Sequence, residues 1–280
     1  MISGKTSLLG LLGQPVGHSV SPAMHNAALR EMGLDWCYLA FPCKSKKLKE
    51  ILDALHAINC QGLNITIPHK ESITKLCTDL CPLSQRLGAV NTLLRNEKGG
   101  WSGTNTDVEG FLYPIKKLKT KQDTKSALVI GCGGSARAVV AGLKELKFQQ
   151  IVVTARNSDR LNKFIHDFNK KSLRLFEKEK EVQGCLLNND ELIKYIEKSH
   201  IIINTTPIGM KTEKAKGIEE NTMPINNQIW KYLQSETVLY DLVFTPNPTP
   251  WLKWGSNQGL HCISGLEMLI QQGAASLRLW

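Results

Sequence analysis

Apolar residues fall into short runs, and these runs alternate with stretches of helical spacing. Thr6 to Leu12 is an apolar run that reads as a first strand and stops at Gly13-Gln14-Pro15. Ser21 followed by Pro22 reads as an N-cap and first-turn pair, and Ala23 to Met32 has helical spacing. Trp36 to Phe41 predicts a second strand, Leu48 to Ile58 a helix, and Gly62 to Ile67 a third strand. Pro68 is placed to open a further helix, since its missing N–H is an orphan position there. This βαβαβ alternation predicts a parallel sheet covered by helices. Gly88 to Leu94 and Gly100 to Gly103 predict paired strands around the turn Glu97-Lys98-Gly99, and a helix runs from Val108 to about Leu118.

The polar, lysine-rich stretch 119–125 predicts a connector and a domain boundary. Beyond it, Ala127 to Ile130 reads as a buried strand running into Gly131-Cys132-Gly133-Gly134-Ser135-Ala136-Arg137-Ala138, which opens a helix to about Leu146. Gln150 to Thr154 predicts a strand, Leu161 to Phe168 a helix, and the charged stretch 170–180 a surface segment. Val182 to Leu187, Ile201 to Asn204 and Thr237 to Val243 predict further strands, and Pro250 to Gln258 a short helix. The last helix starts near Gly265, with Leu266, Leu269, Ile270 and Leu277 as its apolar face. No internal repeat is present.

With 280 residues, 42% of them hydrophobic and 21% charged, the composition is that of a soluble globular protein with room for two domains. No apolar run approaches the roughly 20 residues of a membrane span. The first twelve residues lack the pattern of a signal peptide, so a cytoplasmic protein is expected. Eight scattered cysteines without a CxxC pair argue against zinc and against a disulfide framework. The net charge of +10 has two readings: an anionic partner such as nucleic acid, or a solvated lysine surface. The lysines fall in separate runs with few aromatics between them, which favours the second.

Several residues carry chemistry. Asn64, Thr66 and Lys70 bring an amide, a hydroxyl and an amine to one strand end, a set that grips a small polyol and moves a proton. Asp107 offers Lys70 a carboxylate, or simply caps the helix behind it. Ser19 and Ser21 flank a helix start suited to a carboxylate ligand; Ser21 alone also reads as a plain cap. Asn91 is equally an ordinary strand polar group. The G-x-G-x-x-A pattern at Gly131, Gly133 and Ala136 sits in strand–turn–helix context, where glycines let the backbone approach a pyrophosphate. The next strand ends at Ala155-Arg156, with Arg160 nearby, where an NAD-binding site places an acid on the ribose. Arginine there suits a 2′-phosphate and hence NADP, unless both arginines only face solvent at a helix start.

Taken together, these motifs resemble one family, the shikimate dehydrogenases. The resemblance runs through Ser19-Val20-Ser21-Pro22 with His25-Asn26, Asn64 to Lys70, Gly88 to Thr92, Asn105-Thr106-Asp107, Gly131 to Arg137, Asn204 to Gly209, Asp241 with Pro246 and Thr249, and Gly265 to Gln272. It implies an α/β protein of two domains. One is a substrate domain with a mainly parallel sheet (1–106 and 247–280), and the other a Rossmann domain for NADP (107–246). The last helix would return to the first domain, and the site would lie in a cleft between the two. The implied reaction is the NADPH-dependent reduction of 3-dehydroshikimate to shikimate in chorismate and aromatic amino acid biosynthesis. A homodimer is left open.

By the resemblance, Lys70 and Asp107 are the catalytic pair. Ser19 and Ser21 hold the substrate carboxylate; Asn64, Thr66, Asn91, Asp107 and Gln272 hold the ring hydroxyls. Gly131, Gly133, Gly134, Ser135 and Ala136 cradle the pyrophosphate, Arg156 and Arg160 take the 2′-phosphate, and Thr205, Met210 and Gly265 lie near the cofactor. Three positions depart from the family pattern: Ala155 for a usual Asn, Phe244 for a usual Tyr, and Cys132 for a usual Ala. Phe244 leaves quinate open as a substrate, with NAD as the rival cofactor. A non-catalytic ligand-binding or nucleic-acid-binding protein on the same fold is the remaining alternative.

Overall fold

The computed structural model describes residues 2–118, 125–172, 181–188, 190–210 and 223–280. Most of the predicted connector (119–124) and of the charged surface stretch (173–180) lies outside the described residues. The chain divides into two compact units, Met1–Gly110 with Ile270–Trp280, and Phe111–Leu269.

The first unit holds β1 (Ser7–Gly13), α1 (Ser21–Glu31), β2 (Trp36–Pro42), α2 (Leu48–Ala57), β3 (Gly62–Ile65), β4 (Asp79–Leu80), α3 (Pro82–Leu87), β5 (Thr92–Arg95), β6 (Trp101–Thr104) and the start of α4 (Asp107–Lys116). Its sheet runs β2-β1-β3-β5-β6-β4. The predicted βαβαβ segment forms the parallel trio β2-β1-β3. The two strands around Gly99 form an antiparallel hairpin, and β5 also runs antiparallel to β3. Leu48, Leu52 and Leu55 bury one face of α2, at the spacing of an amphipathic helix. They join Leu12, Leu63, Ile65 and Trp101 in one core.

The second unit holds β7 (Ser126–Ile130), α5 (Gly134–Glu145), β8 (Gln150–Ala155), α6 (Ser158–Ser172), β9 (Gln183–Leu186), α7 (Glu191–Lys198), β10 (Ile201–Asn204), β11 (Val238–Asp241), α8 (Pro250–Asn257), β12 (His261–Ser264) and the start of α9 (Gly265–Leu279). All of its strands are parallel, in the order β12-β11-β10-β7-β8-β9. Counted from β7, this is the doubly wound order of dinucleotide-binding domains. Ser126–Ile130 and Ile201–Asn204 read as continuous apolar runs because such strands are covered on both faces.

The structure departs from the sequence reading at several points. Residues 247–269 were expected with the first unit, but β12 pairs in parallel with β11 and extends the second sheet. Neither β12 nor α7 was anticipated: β12 has four residues, and α7 buries only Leu192 and Ile196. Pro68 opens no helix. The Ile67–Pro68 bond is cis, and His69 N–H closes a turn onto the Thr66 carbonyl at 2.9 Å. Ser21 is not the cap of α1. Val20 already holds a helical conformation and accepts from Met24 N–H, so Ser21 lies inside the first turn. The predicted apolar face of α9 is also displaced. Leu266 and Ile270 are exposed, while Met268, Ala275 and Ser276 are buried. Gly273 lies on the buried face, where a Cβ would press on the terminal methyl of Met24 of α1.

Candidate active site

The first unit gathers its polar residues at one end of its sheet. Ser19 and Ser21 follow the carboxyl end of β1, and Thr66 and Lys70 follow that of β3. Because β5 is antiparallel, its start rather than its end lies beside them; Asn64 pairs with Thr92, and Asn91 precedes it. Asp107 follows the carboxyl end of β6. These ends of an α/β sheet are where ligands bind.

Lys70 Nζ lies 2.6 Å from Asp107 Oδ2, and both side chains are largely buried. The other Asp107 oxygen accepts from Asn91 Nδ2 at 2.9 Å. Asp107 is therefore not spent on capping α4. Thr106 takes the cap position by accepting from Gly110 N–H, and Asn105 Oδ1 accepts from Asp107 N–H at 3.0 Å. Gln272 of α9 reaches the same cluster, its Oε1 accepting from Asn91 Nδ2 at 3.3 Å. Asn64 is buried differently from the sequence expectation. Its Oδ1 accepts from the Tyr38 hydroxyl at 2.8 Å, and its Nδ2 donates to Ser276 Oγ at 2.9 Å. Ser19 has a local duty that the sequence reading denied it, as its Oγ accepts from Ser21 N–H at 3.2 Å. The half-buried Thr66 donates its N–H to the Leu12 carbonyl and sits against Gly13. His25 stacks on Tyr38 with centroids 4.2 Å apart, and burial pushes its imidazole down to about 4. It is thus neutral at pH 7.

In the second unit β7 runs into Gly131, whose φ of +108° is one that favours glycine. Gly133 takes the N-cap position of α5 and has no side chain with which to cap it, so the amide end of the helix suits an anion. A Cβ on Gly133 would point into open space, so only this side chain's absence keeps the loop clear. Gly134, Ser135 and Ala136 form the first turn behind it. Arg156 and Arg160 are both exposed at the end of β8 and the start of α6. Neither has an ion-pair partner among the described residues, and Asn157 Oδ1 caps that helix by accepting from Arg160 N–H. A dinucleotide phosphate fits this open, cationic arrangement.

Thr205 follows β10, and its hydroxyl donates to the Ile130 carbonyl at 2.7 Å, tying the two loops together. Met210 lies half-buried in the following turn, its N–H bonded to Pro207. Gly265 has a steric duty, since a Cβ there would press on the Leu242 carbonyl. A polar cavity of about 1060 Å³, lined by Ser126, Gln150, Gln183 and His200, opens at the opposite, amino ends of the strands. It contains none of the candidate residues, and ligands of such sheets sit at the carboxyl ends.

Sequence reasoning missed Tyr38, Thr92 and Ser276, which lock the buried amides. The signal for Ser276 was its spacing, four residues after Gln272 and so on the same helical face. Among the described residues no group of His, Cys, Asp and Glu is arranged to hold a metal. Nor is any described helix long and apolar enough to cross a membrane.

The chain is similar over its whole length to known proteins. Residues 11–93 match the family description "Shikimate dehydrogenase substrate binding domain", and residues 115–223 match "Shikimate / quinate 5-dehydrogenase". A shikimate dehydrogenase (NADP(+)) of Prochlorococcus marinus is 45% identical over 280 residues, covering 100% of this chain and 93% of the relative. The crystal structure of shikimate dehydrogenase from Aquifex aeolicus superposes with a TM-score of 0.84 at 31% identity, over 100% of this chain and 94% of the other. That of shikimate 5-dehydrogenase from Thermus thermophilus, in complex with NADP(H) and shikimate, gives 0.80 at 31% identity, over 98% and 93%.

Proposed function

The chain belongs to the shikimate dehydrogenase family, and from that premise we propose that Lys70 and Asp107 are the pair that handles the proton of its reaction. The protein is an NADP-dependent oxidoreductase that reversibly reduces 3-dehydroshikimate to shikimate in aromatic biosynthesis. The single observation that carries the pair is the 2.6 Å contact between Lys70 Nζ and Asp107 Oδ2.

When bound, NADPH supplies the hydride. Lys70 donates a proton to the ketone oxygen as negative charge develops on it, so ketone, hydride and proton together make the alcohol. In the reverse direction Lys70 receives that proton. Asp107 keeps the ammonium directed and accepts from the substrate hydroxyl. Ser19 and Ser21, at the start of α1, hold the substrate carboxylate; Thr66, Asn91 and Gln272 hold ring hydroxyls. We assign Asn64 to the support of these groups, since both halves of its amide are already bonded inside the protein. Gly131, Gly133, Gly134, Ser135 and Ala136 would hold the pyrophosphate, and Arg156 with Arg160 the 2′-phosphate. Thr205, Met210 and Gly265 shape the cofactor loop. We place the enzyme in the cytoplasm.

The test is the nicotinamide absorbance of purified protein mixed with shikimate and NADP. A rise that is abolished in Asp107→Asn supports the pair; a variant that still turns over at the wild-type rate removes Asp107 from it. Phe244 favours a second, broader reading in which quinate is also oxidised, because a hydroxyl usual at that position is absent. Rates with quinate under the same conditions decide that point.

A further inference from the structure

Ser276 is fully buried on the face of α9 that also carries Met268, Gln272, Gly273 and Ala275. Burying a hydroxyl is costly unless it is bonded. This one has four partners: Asn64 Nδ2 at 2.9 Å, Thr92 Oγ1 at 2.8 Å, Thr106 Oγ1 at 3.1 Å and the Gln272 carbonyl at 3.0 Å.

Backbone groups fix the orientation of the two amides of this cluster. Thr106 N–H donates to Asn91 Oδ1 at 2.7 Å, so Asn91 Nδ2 must face Asp107 Oδ1 and Thr106 Oγ1, each at 2.9 Å. Asn64 Nδ2 faces the Asn91 carbonyl at 3.2 Å, so its Oδ1 faces Tyr38. Thr106 Oγ1 accepts from Asn91, and its own hydrogen meets Ser276 Oγ at 3.1 Å, with Asn91 Oδ1 and Thr92 Oγ1 each farther off at 3.3 Å. The Thr92 hydroxyl lies 3.0 Å from Asn91 Oδ1 and 2.8 Å from Ser276 Oγ, and the single Ser276 hydrogen is shared between Thr92 Oγ1 and the Gln272 carbonyl. The contacts run from Asn64 and Thr106 through Ser276 and Thr92 to Asn91, whose amide then meets Asp107. Such linked bonds reinforce one another.

We propose that Ser276 is a positioning residue of the dehydrogenase reaction: it holds Asn91, through Thr92 and Thr106, in the orientation that presents an amide N–H to Asp107. Ser276 itself bonds to neither Asp107 nor Lys70, and its role rests on the reading of those two as the proton-handling pair. Thr92 is the link that distinguishes this role from packing. A hydroxyl that acts through Thr92 loses its effect when Thr92 is Val.

Steady-state rates with shikimate and NADP for wild type, Ser276→Ala, Thr92→Val, the double variant and Ser276→Thr test the proposal. Ser276→Ala is expected to lower kcat about tenfold while KM for NADP stays within about twofold. The double variant is expected to be no slower than the slower single variant, and Ser276→Thr, which keeps the hydroxyl, to recover most of the rate. A Ser276→Ala enzyme with lowered melting temperature but unchanged kcat overturns the proposal, as do single losses that multiply in the double variant. If Ser276→Ala does not fold, Ser276→Cys, of similar volume but a weak donor, enters the same comparison. A wild type inactive on shikimate removes the reaction and the proposal together; an active wild type with insensitive variants removes the proposal alone.

Discussion

The two units carry sites built from different material. The site of the first unit is made of side chains gathered from distant parts of the chain; Asn64 and Ser276, 212 residues apart, bond directly. Its amides are fixed by backbone partners. The site of the second unit is made of consecutive backbone, Gly131 to Ala136, with a glycine at the N-cap of the helix. A side-chain site is preorganised and is broken by removing atoms, whereas a backbone cradle is broken by adding them. Preorganised donors cost no rearrangement during reaction, which suits the place where charge develops. An open cradle suits a cofactor that must come and go.

The largest effect should follow from removing atoms in the first unit. Lys70→Ala is expected to lower kcat by about 10²- to 10⁴-fold with shikimate binding retained. A loss under about tenfold, measured in steady state, would take proton transfer away from Lys70.

The second unit has its own side-chain network, and it offers a sharper contrast because it serves folding. Asp241 is fully buried and accepts from Thr249 Oγ1 at 2.7 Å, Asn204 Nδ2 at 2.9 Å and Val243 N–H at 3.0 Å. Burial raises its carboxyl from 3.8 to about 6, against the opposing pull of those bonds. The folded state therefore holds this proton more tightly than the unfolded chain. Its contribution is present at low pH and is lost as the pH rises from about 4 through about 6, by up to about 3 kcal/mol. Asp241→Asn should flatten that dependence. Urea midpoints of both proteins at pH 4.5 and 7.5 check it; equal shifts in the two would exclude Asp241 as the source.

Adding atoms should discriminate the cradle from its surroundings. Gly133→Val places its side chain in open space, so the melting temperature is expected to hold while NADP binds about thirtyfold more weakly. Gly265→Ala, pressed on the Leu242 carbonyl, is expected to do the reverse and lower the melting temperature. Titration of NADP alongside thermal melts separates the two patterns, and a Gly133→Val protein with normal affinity would sink the cradle. The smallest change is expected from Arg156→Ala, an exposed group whose loss should raise KM for NADP about tenfold and leave KM for NAD unaltered. An equal rise for both cofactors would mean that Arg156 does not read the 2′-phosphate.

Local chemistry was legible in the sequence. The Gly131 loop was readable because its function follows from contiguous residues, and glycine spacing after a strand encodes it directly. The parallel trio β2-β1-β3 and the Rossmann strands followed from apolar runs, whose period reflects burial on each face. Lys70 and Asp107 stood out as residue types that could pair, and the family resemblance gave the pair a catalytic role. Tertiary structure alone decided the rest, because it turned on groups far apart in the chain or on competition between caps. Asp107 was freed for Lys70 because Thr106 and Asn105 took over the start of α4. Asn64 was drawn inward by Tyr38 and Ser276, which no spacing near Asn64 announces. β12 joined the second sheet beside β11, and the face of α9 that carries Gly273 packs against Met24 of α1. The sequence by itself determined which groups were available and which segments were strands or helices. Which donor met which acceptor was left to the packing, because a hydrogen bond depends on two positions and a sequence pattern specifies one.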